Sequence, residues 1–229
     1  VTTVPGLAAP AVAGFDRSGT RLYVSNIFGG VVAAMDPATN AVVAPIVVGA
    51  LPVDVVASPT ADVVYIIEES GSVDVISTAT NTVTATIALP GGGPEFGAVT
   101  PTGARLYVPD PVAGQVYVID AATNTVAATI AFPVGASPFD VVIDAAGAFA
   151  YVTDQARDLV AVIDIATNTV VGSIAVGAGP GGIALGAGPA PPVVAPPRQV
   201  PIDSAWMLAA LAALLIATAA MRRAPRRRR

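Results

Sequence analysis

Pro138-Phe139-Asp140-Val141-Val142-Ile143 is a short apolar run closed by the turn residues Asp144-Ala145-Ala146-Gly147. Phe149-Ala150-Tyr151-Val152-Thr153 follows, then Leu159-Val160-Ala161-Val162-Ile163, then the stretch from Thr169 to Val176. Each run is rich in β-branched or aromatic residues and is bounded by Gly, Asp, Asn or Pro, which reads as four successive β-strands. Several are almost continuously apolar instead of alternating, the pattern of strands covered on both faces.

The same passage recurs along the chain. A tyrosine stands at Tyr23, Tyr65, Tyr107 and Tyr151, at spacings of 42, 42 and 44 residues. Ala-Thr-Asn recurs in step at Ala38-Thr39-Asn40, Ala79-Thr80-Asn81, Ala122-Thr123-Asn124 and Ala166-Thr167-Asn168. A proline opens each copy at Pro10, Pro52, Pro94 and Pro138, and again at Pro180. Three marks in one register define a stacked array of one supersecondary unit. A four-stranded sheet repeated at this period, with neighbours on both sides, is a propeller blade. The expected fold class is therefore all-β, a β-propeller of four-stranded antiparallel blades.

The repeated polar residues have a turn-forming role by their chemistry. Asp36, Asp120 and Asp164 end the third run of their copies, and an Asn follows four residues later; Ser77 takes the place of the Asp in the second copy. Asp and Asn bond nearby backbone amides, and Asn tolerates the left-handed conformation, so the pair shapes a tight turn.

At these residues the chain resembles the YVTN β-propeller repeat family. Tyr23-Val24-Ser25-Asn26 and Tyr151-Val152-Thr153-Asp154 lie near the name-giving tetrapeptide, with Tyr65-Ile66-Ile67-Glu68 and Tyr107-Val108-Pro109-Asp110 looser versions. The flanking pattern is also similar, as in Val162-Ile163-Asp164-Ile165-Ala166-Thr167-Asn168-Thr169-Val170-Val171. The resemblance covers about residues 10 to 186 and implies a propeller scaffold without naming an activity, since propellers host unrelated chemistries. Pro109 is expected near the end of its strand, because proline cannot donate to a central ladder. Four copies either pack as one propeller-like domain or form part of a larger propeller. Val1 to Val4 look like the end of an earlier copy and Pro180 to Leu185 like the first strand of a later one. The sequence opens on Val1, and upstream residues such as a signal peptide are expected before it.

After the repeats, assigned to 1–186, residues 187–199 are rich in Pro, Gly and Ala, the composition of an extended spacer. The last segment, 200–229, has three parts. Val200-Pro201-Ile202-Asp203-Ser204-Ala205-Trp206 precedes an apolar run reaching Met221, and the chain ends in six arginines, Arg222, Arg223, Arg226, Arg227, Arg228 and Arg229. A helix over this run, Trp206 included, is about 24 Å long at 1.5 Å per residue, short but workable across a bilayer core of about 30 Å. Trp206 suits one interface and the arginines the other, which keeps the arginines cytoplasmic and the repeats outside. The segment resembles the IPTL-CTERM class of bacterial sorting signals, with Val200-Pro201, Ser204 and Trp206 matching and Ile202, Asp203 and Met207 departing. That resemblance implies a Gram-negative envelope protein, anchored in the inner membrane and cut near the motif by an exosortase-like protease. The alternative is a plain C-terminal anchor that is never cleaved.

Composition narrows the chemistry. The 229 residues contain no His and no Cys, and all 11 basic residues are Arg. Five arginines against 15 acids in residues 1–200 leave an acidic body, which argues against nucleic acid as a partner. Without His, Cys or Lys, the commonest general base, thiolate nucleophile and Schiff-base amine are missing. Gly91-Gly92-Gly93-Pro94 lacks the Lys of a phosphate loop and reads as a strand connection. Two carboxylate sets remain. Asp54, Asp140 and Glu95 follow the copy-opening prolines and could meet at one mouth of the channel as a calcium site, or cap the entry loops. Asn26, Glu68, Asp110 and Asp154 end the second strands and read as turn caps. No catalytic, metal or cofactor residue is assigned on these patterns. The expectation is a non-catalytic envelope or surface protein presenting its propeller to an extracellular protein or polysaccharide. The alternatives are an envelope propeller enzyme, lactonase-like or glycan-cleaving, and a truncated copy of a longer propeller.

Overall fold

The computed structural model describes residues 9–186, which form sixteen strands in four antiparallel sheets. Sheet 1 holds β1 (Pro10–Phe15), β2 (Leu22–Asn26), β3 (Val31–Asp36) and β4 (Ala41–Val47). Sheet 2 holds β5 (Pro52–Ala57), β6 (Val63–Glu68), β7 (Ser72–Ser77) and β8 (Thr82–Ala88). Sheet 3 holds β9 (Ala98–Val99), β10 (Arg105–Asp110), β11 (Gln115–Asp120) and β12 (Thr125–Ala131), and sheet 4 holds β13 (Pro138–Ile143), β14 (Phe149–Asp154), β15 (Leu159–Asp164) and β16 (Thr169–Ala175). In every sheet the strands lie in chain order, the meander of a propeller blade. Each copy also bulges at one place in its third-to-fourth strand pairing, after Ala34, Val75, Val118 and Val162. The repeat thus fixes register as well as strand order.

The apolar runs of the second and third strands are covered on both faces, as their sequences require. Tyr23, Val32, Ala34 and Ile46 pack on Val55, Val64, Ile66 and Ile76 across the first seam. Tyr65, Ile67, Val73 and Val75 meet Leu106, Val108 and Ile119 across the second. Tyr107, Val116 and Val118 meet Val141, Val152 and Ile163 across the third. The fourth strands β8 and β12 alternate between exposed and half-buried residues, which marks them as the outer rim. Pro45 is tolerated in β4 for that reason: a rim strand has one side without a ladder to feed. The inner strands touch in succession, β1 with β5, β5 with β9 and β9 with β13, and no comparable packing links β13 back to β1. Among the described residues the sheets therefore form a succession with two end faces.

Sheet 3 departs from the repeat. Its inner strand β9 has two residues where the others have six. Pro109, next to last in β10, has no N–H to offer an inner strand, and only its carbonyl is used, accepting from the Glu95 N–H at 3.4 Å. The expected place of Pro109 near its strand end is what the structure has.

The turn reading of the third-strand acids also holds. Asp36 Oδ1 accepts from the Ala38 N–H at 2.8 Å, and Asp120 Oδ1 from Ala122 and Thr123 at 2.9 and 3.0 Å. Asn40, Asn81, Asn124 and Asn168 take φ of 57°, 54°, 54° and 53°, the left-handed region that Asn enters more easily than most residues. Val200, Pro201, Ser204, Trp206, the six terminal arginines and the linker lie outside the described residues. Among the described residues no helix is long and apolar enough to cross a membrane.

Candidate functional site

Because β1, β5 and β13 start where β2, β6 and β14 end, both carboxylate sets of the sequence fall on one edge of the sheets. Among the described residues that edge carries Asp54, Glu68, Glu69, Asp74, Glu95, Asp110, Asp140, Asp154 and Asp158 against one cation, Arg157. The opposite edge carries Arg17, Arg21 and Arg105 against Asp16, Asp36, Asp62, Asp120, Asp144 and Asp164. The acidic edge is the candidate site, and what its carboxylates bond decides its character.

Asp54 and Asp140 do not cap their entry loops. Each reaches forward to the next copy. Asp54 Oδ2 accepts from the Gly97 N–H at 3.0 Å, and Asp140 Oδ2 from the Ile183 N–H at 2.9 Å, both 43 residues ahead. Their Oδ1 atoms accept the N–H groups of Val55 and Val141 at 2.8 and 2.7 Å. Each carboxylate is thus a clasp from one inner strand to its successor. Pro180 to Leu185 sits where the inner strand of a following copy would begin, held by Asp140 as Gly97 is held by Asp54. Burial pushes the Asp54 carboxyl up to about 6, with the Asp140 charge adding to it. Asp140 is raised by burial too. Glu95 does not join them: burial raises it, and the charge that acts on it is Glu69. Among the described residues no three Asp, Glu, His or Cys converge on a point that could hold a metal ion.

The second set was read as turn caps, and only Asp110 acts so, accepting from Val112 and Ala113 at 3.0 and 2.8 Å. The others hold the chain entering their own sheet. Asn26 Oδ1 accepts from Ala9 at 2.9 Å, Asp154 Oδ1 from Ser137 at 2.9 Å and Glu68 Oε1 from Gly49 at 2.6 Å. The antiparallel pairing explains the correction, since the end of the second strand lies beside the chain entering the first. Asp110 Oδ2 and Asp154 Oδ2 are buried with no hydrogen-bond partner among the described residues.

Sequence reasoning missed one residue of this edge. Asp74 occupies the third position of β7, where the other sheets carry Ala33, Tyr117 and Ala161. It is 3% exposed and lies against Glu68, which is fully buried. Asp74 Oδ2 accepts from the same Gly49 N–H at 3.2 Å, and its Oδ1 accepts from the Thr86 hydroxyl at 2.5 Å. Ser72 donates its hydroxyl to Glu68 Oε2. Burial, with the Asp74 charge beside it, pushes Glu68 up to about 7. An acid in an otherwise apolar register was the available signal.

Toward the opposite edge, the ends of the inner strands line an apolar groove of about 420 Å³ built from Val56, Ala57, Ala98, Val99, Val142, Ile143 and Leu185, with Pro59 and Pro101 at its rim. Phe96 and Phe139, from consecutive copies, meet edge to face with ring centroids 5.3 Å apart.

No protein-family model and no curated protein matches the chain. Solved structures do. Kuenenia stuttgartiensis hydrazine synthase is 23% identical with a TM-score of 0.68, over 76% of this chain and 51% of that one. The β-propeller domain of Myceliophteria thermophila Cps50 (Swd1) is 13% identical with a TM-score of 0.66, over 78% of this chain and 57% of that one. The chain therefore spans about half the length of these structures. One belongs to an enzyme and the other is named for its propeller, so the likeness establishes the β-propeller fold and no activity.

Proposed function

We propose that this chain is a non-catalytic protein of the cell envelope that presents a YVTN-type propeller for binding or for a structural role. The observation that carries this reading is how the in-register carboxylates are used. Asp54, Asp140, Glu68, Asp154, Asp36 and Asp120 all accept backbone N–H groups of strands, turns or connections. A catalytic carboxylate pair instead needs two acids facing a space that substrate can enter. The groove is apolar and opens at the ends of the inner strands, away from the acidic edge, so the body offers an apolar surface and a separate acidic one, suited to recognising an extracellular protein or polysaccharide and unsuited to nucleic acid.

On this reading Trp206 and the terminal arginines set the span in the inner membrane with the propeller in the periplasm. Val200, Pro201, Ser204 and Trp206 form the motif at which an exosortase-like protease releases the propeller or passes it to the cell surface. The test is intact mass and membrane fractionation of the full chain in a Gram-negative host, with and without such a protease. Loss of the segment beyond about Ser204 together with release from the inner membrane is expected. An uncut mass in the inner membrane under both conditions would refute the sorting part and leave a permanent anchor.

A further inference from the structure

Two buried carboxylates that accept one N–H, with no cation beside them among the described residues, pose a charge problem. The groups facing Glu68 can be named element by element. β7 brings the Asp74 carboxylate and the Ser72 hydroxyl, β8 brings the Thr86 hydroxyl through Asp74, and the β4–β5 connection brings only the Gly49 N–H. Glu69, next in the chain, is exposed, and the arginines of the described residues lie at the opposite edge or on sheet 4. Two like charges at this distance in a low-dielectric interior repel strongly, so a single proton between them is the stable arrangement. Sheets 1 and 4 avoid the problem with Ala33 and Ala161 at the Asp74 position, and their connections are held by Asn26 and Asp154 alone, while sheet 3 carries Tyr117 there. Sheet 2 has a second acid where none of the other three sheets carries one. Departures of this kind from an otherwise consistent pattern are expected at functional positions.

We propose that Glu68 and Asp74 form a proton-operated latch on the connection between sheets 1 and 2. With one proton shared between the carboxylates, the Gly49 N–H is gripped and the connection is shut. When the pair gives that proton to solvent, repulsion parts the carboxylates and frees Gly49 and Ala50, between the Val48 N–H that stays on the Gly30 carbonyl and the Leu51 carbonyl that stays on the Glu69 N–H. The segment is ready to move: Leu51 is held at φ 58°, a left-handed conformation that a γ-branched residue adopts at a cost. Release exposes the Gly49 N–H at the acidic edge.

The test is amide hydrogen exchange at Gly49 in the full chain between pH 5.5 and 8.5, corrected for the intrinsic pH dependence of exchange. With the Glu68 carboxyl at about 7, protection at Gly49 is expected to fall roughly thirtyfold across this range, following the loss of the protonated pair. The Ser137 amide, held by the lone Asp154, serves as the control and stays level. Asp74→Ala installs the residue that sheets 1 and 4 carry and keeps Glu68 on the Gly49 amide. Glu68→Gln removes the titrating proton by a second route. Both variants are expected to make Gly49 protection independent of pH. A pH-independent Gly49 in the wild-type chain, or the same pH dependence in either variant, would overturn the latch.

Discussion

Removing one hydroxyl from each repeat tyrosine in turn tests how the copies are tied together. Tyr23 donates to Asn81 Oδ1 at 2.9 Å and Tyr107 to Asn168 Oδ1 at 2.7 Å, each bond crossing from one sheet to the left-handed turn of the next. Tyr65 has no such bond: Asn124 Oδ1 is buried without a partner among the described residues, and both line a cavity of about 280 Å³ at that seam. Tyr151 stands on the end face of sheet 4 and is half-buried, where the other three are 0 to 1% exposed. Tyr→Phe keeps the ring packing and deletes only the donor. At Tyr23 it strands the Asn81 acceptor and at Tyr107 it leaves Asn168 Oδ1 only the 3.5 Å contact from Arg105 Nη1, each a loss of about 1 kcal/mol. For a domain of this size that is about 2–4 °C in Tm. Tyr65→Phe and Tyr151→Phe should fall within about 0.5 kcal/mol of wild type, since neither breaks a bond. Thermal unfolding of the four variants, followed by far-ultraviolet circular dichroism, reads the series. Equal losses at all four positions would refute the reasoning, because they would mean the hydroxyls matter by burial and not by reaching a turn.

Three further outcomes follow from the same geometry. Asp54 is held near 6 in the folded chain against an ordinary 3.8, so the folded state binds more protons than the unfolded one between those values. Stability should fall as pH rises from about 4 through 6, by up to about 3 kcal/mol at full ionisation, and Asp54→Asn should flatten that part of a Tm-against-pH curve. Gly14→Ala would place a Cβ 2.7 Å from the Val55 carbonyl oxygen; backbone cannot yield as a side chain does, and a loss of about 1–3 kcal/mol in denaturant unfolding is expected. Gly135→Ala has nothing within 4 Å and suffers only its φ of +83°, so about 1 kcal/mol is expected and it should rank below Gly14→Ala.

Much of the fold was legible because strand period and turn chemistry are local. The apolar run Leu159 to Ile163 and the Asp164-to-Asn168 turn each carry their instruction within a few residues, and the repeat multiplies it by four. The seam bonds were not legible in the same way. Tyr107 and Asn168 lie 61 residues apart, and the sequence marked both without saying that a tyrosine of one copy serves the asparagine of the next. Asp54 and Asp140 showed the same limit. Their position after a proline suggested a loop cap or a metal ligand, whereas stacking supplies a backbone amide 43 residues ahead. Asp74 was hidden for another reason. Attention to what recurs passes over the one copy that departs, and an acid between Val73 and Val75 is conspicuous only once β7 is known to be covered on both faces.

The central claim is that the repeated carboxylates are spent on holding backbone, with Asp54 and Asp140 as clasps between successive copies. Residue-resolved amide exchange at Gly97 and Ile183, in the full chain and in Asp54→Ala, tests it most directly. If the clasps hold, both amides are protected as well as ladder amides in the wild-type chain, and Asp54→Ala frees Gly97 while leaving Ile183 protected. Gly97 and Ile183 exchanging at unprotected rates in the wild-type chain would contradict the account.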